Sequence, residues 1–281
     1  MEAGGSGLAT LLADARRRLS SQSSGALEAE ILLAHVLDVN RAWLFAHPEA
    51  GIDIDKANQF RRLVKRRERG EPLAYLTGVR EFWSLPLQVT PAVLIPRPET
   101  ELLVEAALEF IPKDAAWRIA DLGTGSGAVA IAIATERPLC EVHATDCSDA
   151  ALRVARVNVE SLVPRRVHLH LGSWLEPLAG RFEVIVSNPP YVAAGDPHLQ
   201  EGDCRFEPRQ ALTPGADGLE AIRHIAGHAL PCLHAGGLLA FEHGFDQGGA
   251  SRTLLRALGY RDVQTVRDLE GRERVSRGIK P

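Results

Sequence analysis

Few features of this 281-residue sequence point to chemistry held by sulfur or metal. There are four cysteines, Cys140, Cys147, Cys204 and Cys232. No two of them form a CxxC pair and no histidine stands at finger spacing beside two of them, so neither a zinc site nor a disulfide framework is expected and the cysteines are read as free thiols. There is no run of ~18 apolar residues, which excludes a spanning helix. Met1 to Thr10 lacks a basic stretch followed by an apolar one, so no signal peptide is expected and the chain is placed in the cytoplasm. Charge of one sign is not in excess: the net charge is -4, with 45% hydrophobic and 24% charged residues. That is an ordinary globular composition and argues against a protein that lives by attraction to nucleic acid phosphates. No internal repeat or low-complexity segment occurs. A monomer is expected.

Residues 1–72 read as helical. Leu8, Leu11, Leu12, Ala15 and Leu19 recur at helical spacing, and Gly25 to Leu37 forms a second apolar-faced segment. Asn40 is placed to cap a short third helix, and Asp55 a fourth that carries Phe60, Leu63 and Val64 inward. The other face of this fourth helix holds Arg61, Arg62, Lys65, Arg66, Arg67 and Arg69. Such a charge run is a solvated face or a partner-binding one. The texture then changes. Residues 73–98 contain Tyr75, Phe82 and Trp83 between the breakers Gly78 and Pro86, and read as a β-hairpin linker. A helix from about Glu99 to Phe110 opens residues 99–281, where short apolar strands alternate with helices. That alternation implies an α/β domain with a largely parallel sheet covered on both faces.

Two loops carry the chemistry. Asp121-Leu-Gly-Thr-Gly-Ser-Gly127 joins a strand to a helix, and glycines there let backbone turn tightly and approach a ligand. Asp146 ends the next strand, where a carboxylate can accept ribose hydroxyl protons. The pattern satisfies a dinucleotide fingerprint as well as an S-adenosylmethionine loop. The acidic Asp121, positioned to meet a cationic ligand, leans towards the latter. The second loop, Ser187-Asn-Pro-Pro-Tyr191, follows the strand Phe182 to Val186. An amide nitrogen is a poor nucleophile because its lone pair is delocalised, so an enzyme that methylates one must orient its N–H bonds. The Asn188 side-chain oxygen and the Pro189 carbonyl can accept them. The prolines stiffen the segment, and Tyr191 can lie against a planar group. Acceptors already in place also stabilise the positive charge that grows on nitrogen.

At these residues the sequence resembles the bacterial release factor glutamine methyltransferases, the PrmC/HemK family. The likeness runs nearly full length. It includes Gly70 to Gly78, Arg80 to Trp83, Leu94 to Thr100, the Asp121 to Gly127 loop, Asn188 to Tyr191, Arg205 to Pro208 and Glu242 to Gly244. The resemblance implies a seven-stranded Rossmann-like S-adenosylmethionine-dependent methyltransferase domain with a small helical N-terminal, substrate-binding domain and a β-hairpin linker. It implies N5-methylation of the glutamine in the Gly-Gly-Gln loop of class I peptide chain release factors. Asp121, Gly123, Thr124, Gly125, Ser126, Gly127, Asp146, Trp174 and Asn188 would bind the cofactor. Asn188, Pro189, Pro190 and Tyr191 would hold the glutamine, with Asn188, Pro189 and Tyr191 catalytic. Many relatives carry Asp where Ser173 stands, which changes the expected adenine contact. A DNA or RNA amino-methyltransferase of the adenine N6 type uses a similar tetrapeptide and is the alternative. His224 and His228, four apart on a helix, read as a surface pair rather than metal ligands. Arg97 between prolines is either a hinge or a substrate contact, and Glu242 is read as a local anchor.

Overall fold

The computed structural model describes residues 7–20 and 24–281; the part of the signal-peptide reading that concerns residues 1–6 lies outside them. The chain divides into two compact units, Met1–Gly78 and Val79–Pro281.

The first unit holds five helices among the described residues: α1 (Leu8–Arg18), α2 (Gly25–Leu37), α3 (Arg41–Ala46), α4 (Ile54–Glu68) and α5 (Leu73–Thr77). The apolar spacing seen in the sequence becomes one core, with Leu11, Leu32, Leu33, Phe60 and Val64 buried together. Asn40 caps α3 as expected, its side chain accepting from the Trp43 N–H at 2.9 Å. The cap of α4 is Asp53 rather than Asp55: Asp53 accepts from the Asp55 N–H at 2.8 Å, and Asp55 supplies negative charge to the first turn. The basic run is partly internal. Arg67 donates to the buried Glu28 at 2.8 and 3.0 Å, and Arg66 pairs with Glu71. Leu73–Thr77 is a helix, not part of a hairpin. Pro72 precedes it with a fixed φ, and Gly78 at φ +75° closes it in the left-handed conformation, so the two caps outweigh the strand propensity of Tyr75 and Thr77.

The second unit begins with the hairpin β1 (Val79–Phe82) and β2 (Leu85–Gln88). Its turn residues Trp83 and Ser84 have φ of +53° and +58°, the geometry that matches strand twist. Neither is glycine, and the strain is met by the Glu101 carboxylate, which accepts from the Trp83 N–H at 2.9 Å. A 3-10 turn at Pro98–Thr100 leads into α6 (Glu101–Phe110). There follow β3 (Arg118–Leu122), α7 (Ala128–Glu136), β4 (Glu141–Asp146), α8 (Asp149–Leu162), β5 (Val167–Leu171) and β6 (Phe182–Ser187). After two 3-10 turns and the short α9 (Arg209–Leu212), the chain ends in α10 (Glu220–Cys232), β7 (Leu233–Glu242), α11 (Gly248–Ala257), β8 (Arg261–Arg267) and β9 (Glu273–Ile279). The seven strands β3–β9 form one sheet of order β5-β4-β3-β6-β7-β9-β8. The first five are parallel, and β9 lies antiparallel between β7 and β8.

This order fixes where a ligand fits. β3 pairs with β4 on one side and β6 on the other, so the chain leaves β3 in one direction and returns past it in the other. The connections above the carboxyl ends of β3 and β6 diverge and leave a crevice. Buried Asn158 on α8 ties the elements beside that crevice. Its Oδ1 accepts from the Gln88 N–H at 2.7 Å, and its Nδ2 donates to the carbonyls of Gln88 and Ser126 at 2.9 and 2.8 Å. One side chain thereby joins the hairpin, the glycine loop and α8.

Replacing Asn158 by Leu strands three backbone groups at once. We expect a loss of about 2–4 kcal/mol in urea unfolding, and a loss under about 0.5 kcal/mol would contradict this account of the tether.

Candidate active site

The crevice is an open cleft beyond the carboxyl ends of β3, β4 and β6, where an open α/β sheet accepts its ligand. Asp121, Gly123, Thr124, Gly125, Ser126, Asp146, Trp174, Asn188 and Pro190 all line it. Gly127, Pro189 and Tyr191 do not. Gly127 is the N-cap of α7 at φ +88°, and a Cβ there would meet Ile131 Cδ1 at 3.0 Å, so its part is backbone conformation. Pro189 is buried. Tyr191 is half-buried and turns its hydroxyl to Glu242.

The glycine loop is held from both ends. The amides of Gly123 and Thr124 both donate to the Thr145 carbonyl at 2.9 Å, which anchors the loop to the end of β4. Gly123 has φ +73°, and a Cβ there would come within 3.2 Å of the Trp174 ring. Glycine is therefore required twice, by conformation and by the close approach of the indole. Asp121 is 1% exposed. Its Oδ2 accepts from the Thr124 hydroxyl at 2.6 Å and the Ala130 N–H at 3.2 Å. Burial pushes this carboxyl up to about 6, against the pull of those two donors. Asp146 ends β4, with Oδ2 accepting from the Gly125 N–H and Oδ1 from the Ser148 N–H, each at 2.9 Å. Burial raises its carboxyl as well, and the backbone donors lower it. Two amides fix the carboxylate plane while leaving lone pairs for further donors.

Asn188 follows β6, directly across from the loop because Leu122 and Ser187 are paired. Its Nδ2 donates to the Thr100 hydroxyl at 3.0 Å, so Oδ1 is left as an acceptor at the cleft. Tyr191 Oη donates to Glu242 Oε1 at 2.9 Å, and the Tyr191 carbonyl accepts from Gln247 Nε2 at 3.0 Å. Glu242 and burial together raise the phenol well above its ordinary value, so Tyr191 stays protonated. A Cβ on Gly218 would come within 2.3 Å of the Tyr191 carbonyl, so only glycine lets that segment pack.

Several contributors lay outside the sequence reading. The segments around Val93 to Pro96 and Pro208 to Ala211 form one wall of the cleft. They are clamped by Glu207, which accepts from the Ile95 N–H at 2.9 Å and pairs with Arg97. Arg97 is thus half of an internal ion pair. Thr100 faces the cleft and holds Asn188. The segments Leu94 to Thr100 and Arg205 to Pro208, which carry part of the family resemblance, coincide with these places, although the sequence alone gives them no task. His243 turns away from the cleft, with Nε2 at 2.9 Å from Ser276 Oγ. His224 and His228 stack on each other, and among the described residues no group of His, Cys, Asp or Glu could hold a metal.

Residues 10–78 match the PrmC N-terminal domain, and residues 99–203 the methyltransferase small domain. The release factor glutamine methyltransferase of Xylella fastidiosa (strain 9a5c) is 51% identical over 256 residues, covering 91% of this chain and 93% of that protein. That of Escherichia coli (strain K12) is 47% identical over 268 residues, covering 95% and 96%. Among solved structures, the Thermus thermophilus 16S rRNA N2 G1207 methyltransferase in complex with AdoMet and guanosine matches with a TM-score of 0.56 at 19% identity, over 72% of this chain and 50% of that one. A Pyrococcus furiosus methyltransferase matches with 0.53 at 21% identity, over 77% and 96%. At such identities these two structures speak for the fold alone. Identity near one half across almost the entire length is decisive: the chain belongs to the release factor glutamine methyltransferase family.

Proposed function

We propose that this enzyme methylates the side-chain amide of the glutamine in the Gly-Gly-Gln loop of class I peptide chain release factors, with S-adenosylmethionine bound in the cleft. The observation that carries the reading is Asn188: it stands across from the glycine loop and commits its Nδ2 to Thr100, leaving an oxygen to accept a substrate N–H. The residues present fit the cofactor. Gly123 leaves room that a Cβ would fill against Trp174, and Asp146 offers a fixed carboxylate for vicinal hydroxyls. When bound, S-adenosylmethionine supplies an electrophilic methyl on a sulfonium.

The chain's own residues then do three things. Gly123 to Gly127 and Asp146 seat the nucleoside end, with Trp174 packed beside the loop. Asn188 Oδ1 and the Pro189 carbonyl accept the two N–H bonds of the glutamine amide, which orients its lone pair towards the methyl. Tyr191, held at its hydroxyl by Glu242, supports the amide plane. Positioning of this kind supplies most of what an in-line transfer needs. No strong base is required, because the nitrogen becomes acidic once methylated. The helical unit matched to the PrmC N-terminal domain is the part we assign to holding the release factor. A nucleic acid amino-methyltransferase is not favoured, since the relatives near 50% identity carry the protein-directed name.

The direct test is mass spectrometry of an unmethylated class I release factor after incubation with enzyme and S-adenosylmethionine. A gain of about 14 Da on the loop glutamine is expected, lost with Asn188→Ala while cofactor binding persists in part. Equal turnover by mutant and wild type would remove Asn188 from its role.

Asp121 generates a pH prediction. Its folded carboxyl lies above the ordinary value, at about 6, so it is protonated on the acid side of that point and ionised on the alkaline side. A sulfonium cation beside it favours the carboxylate, so binding should release a proton and tighten as pH rises through about 6. Calorimetric titration between about pH 5 and pH 8 should show this for the wild type and a flatter profile for Asp121→Asn, with the Asp146 contribution common to both. Identical profiles would mean that Asp121 does not face the charge.

A further inference from the structure

The segment Asn188 to Tyr191 has to be held at its ends, because Pro189 and Pro190 carry no N–H with which to join a ladder. The near end is fixed where β6 stops: Ser187 pairs with Phe241, and its hydroxyl donates to the Leu122 carbonyl at 2.7 Å. The far end is the peptide after Tyr191. Its N–H, on Val192, donates to the Leu212 carbonyl at 2.9 Å. Its carbonyl accepts from Nε2 of Gln247, the residue at the head of α11, at 3.0 Å. Gln247 Oε1 accepts in turn from the Gly244 N–H at 2.9 Å. An N–H only donates and a carbonyl only accepts, so both partners set the Gln247 amide in the same sense. A glycine stands at each end of that amide. A Cβ on Gly218 would come within 2.3 Å of the Tyr191 carbonyl oxygen and 2.9 Å of Gln247 Nε2, and one on Gly244 would meet Gln247 Oε1 at 3.2 Å. Gly244 is itself anchored, its carbonyl accepting from His243 Nδ1 at 2.8 Å and from the Gln247 N–H at 2.9 Å.

We propose that Gln247 is a positioning residue for methyl transfer, fixing the Tyr191 carbonyl and through it the Pro189 carbonyl that receives the substrate amide. The inference rests on the reading of Asn188 to Tyr191 as the amide-holding segment. Two prolines of fixed φ pass a displacement along the segment rather than absorbing it. Without the Nε2 donor, the peptide after Tyr191 keeps its grip on Leu212 alone and turns about it, and the Pro189 carbonyl two residues upstream moves with it. A displacement of about 1 Å at a positioned acceptor costs up to about a hundredfold in rate. Gln247 touches neither cofactor nor substrate in this account. It carries the place of Gly244, just beyond β7, across to the segment that does.

Gln247→Glu keeps the shape and the acceptor for Gly244 but sets a carboxylate oxygen against the Tyr191 carbonyl, acceptor against acceptor. Protonation of that carboxyl restores a donor. Gln247→Met keeps the length and has no donor at any pH. At saturating cofactor and about pH 8, kcat for release factor methylation should fall about tenfold or more in both variants, with the cofactor Kd within about twofold of wild type. Taken as a ratio to wild type at each pH, the loss in Gln247→Glu should shrink towards about pH 5.5, and that in Gln247→Met should not. A second readout is independent of substrate. Tyr191 is the one tyrosine followed by valine, so isotopic labelling of tyrosine carbonyl carbons together with valine nitrogens isolates its carbonyl resonance. That resonance should move upfield in Gln247→Met, and in Gln247→Glu it should move upfield at alkaline pH and return on acidification. Wild-type kcat in either variant, equal and pH-independent losses in both, or an unmoved carbonyl resonance would overturn the proposal. Wild-type enzyme that binds cofactor without methylating the release factor would sink the substrate reading alone, and the tether then stands or falls on the carbonyl resonance.

Discussion

Everything in the catalytic unit depends on the pairing of β3 with β4 on one edge and β6 on the other. Parallel strands need crossover helices, and two crossovers that leave a central strand in opposite directions cannot both cover its carboxyl end. The gap that remains is the site. The loop after β3 turns over it from one side, Asn188 reaches it from the other, and Asp146 enters from β4. No residue needs to travel: the register Leu122 to Ser187 places the glycine loop and the Asn-Pro-Pro-Tyr segment face to face as soon as the sheet forms. Chemistry and fold therefore share a single constraint, and disturbing the β3–β6 ladder disturbs both.

Around that gap the protein stiffens what it exposes by bonding what it buries. Asn158 uses three hydrogen-bonding groups to bind hairpin, glycine loop and α8. Asp121 ties the loop's Thr124 to the first turn of α7. Glu207 clamps the cleft wall at Ile95 and Arg97. Each is a buried polar side chain whose partners are backbone amides or fixed neighbours, so each converts a desolvation cost into a defined geometry. On the proposed mechanism, which orients an amide rather than supplying a strong base, rigidity contributes more than unusual proton affinity.

The strands were the most legible part of the sequence. The alternation of strands and helices expected over residues 99–281 is found, with β4 ending at Asp146 and β6 over Phe182–Ser187, because buried parallel strands are short apolar runs bounded by breakers. The glycine loop and Asn188 were legible for a different reason: local chemistry there demands specific residue types in direct succession. Leu73–Thr77 is helical where its strand propensity suggests a hairpin, because Pro72 and Gly78 close the turn at either end. β7 starts at Leu233, earlier than the apolar run from Gly237 suggests, because the ladder with β6 continues across an irregularity that composition does not reveal. The two units divide at Gly78/Val79, after the helix that the sequence reading assigned to the linker.

Thr100, Asn158, Glu207 and Glu242 could not be given tasks from the sequence, and they share a cause. Each acts on a residue far along the chain: Thr100 on Asn188, Asn158 on Gln88, Glu207 on Ile95, and Glu242 on Tyr191. A motif reports residues that meet a ligand together; it does not report the residue that decides which way one of them points. An asparagine amide is nearly symmetric in shape and opposite in polarity at its two ends, so the tetrapeptide alone leaves its sense undetermined. In the folded chain a threonine before α6 accepts from the nitrogen end of that amide. The partners that hold the two ends of this four-residue motif thus come from Thr100 and Glu242, far apart in the chain, and only the folded sheet brings them beside it.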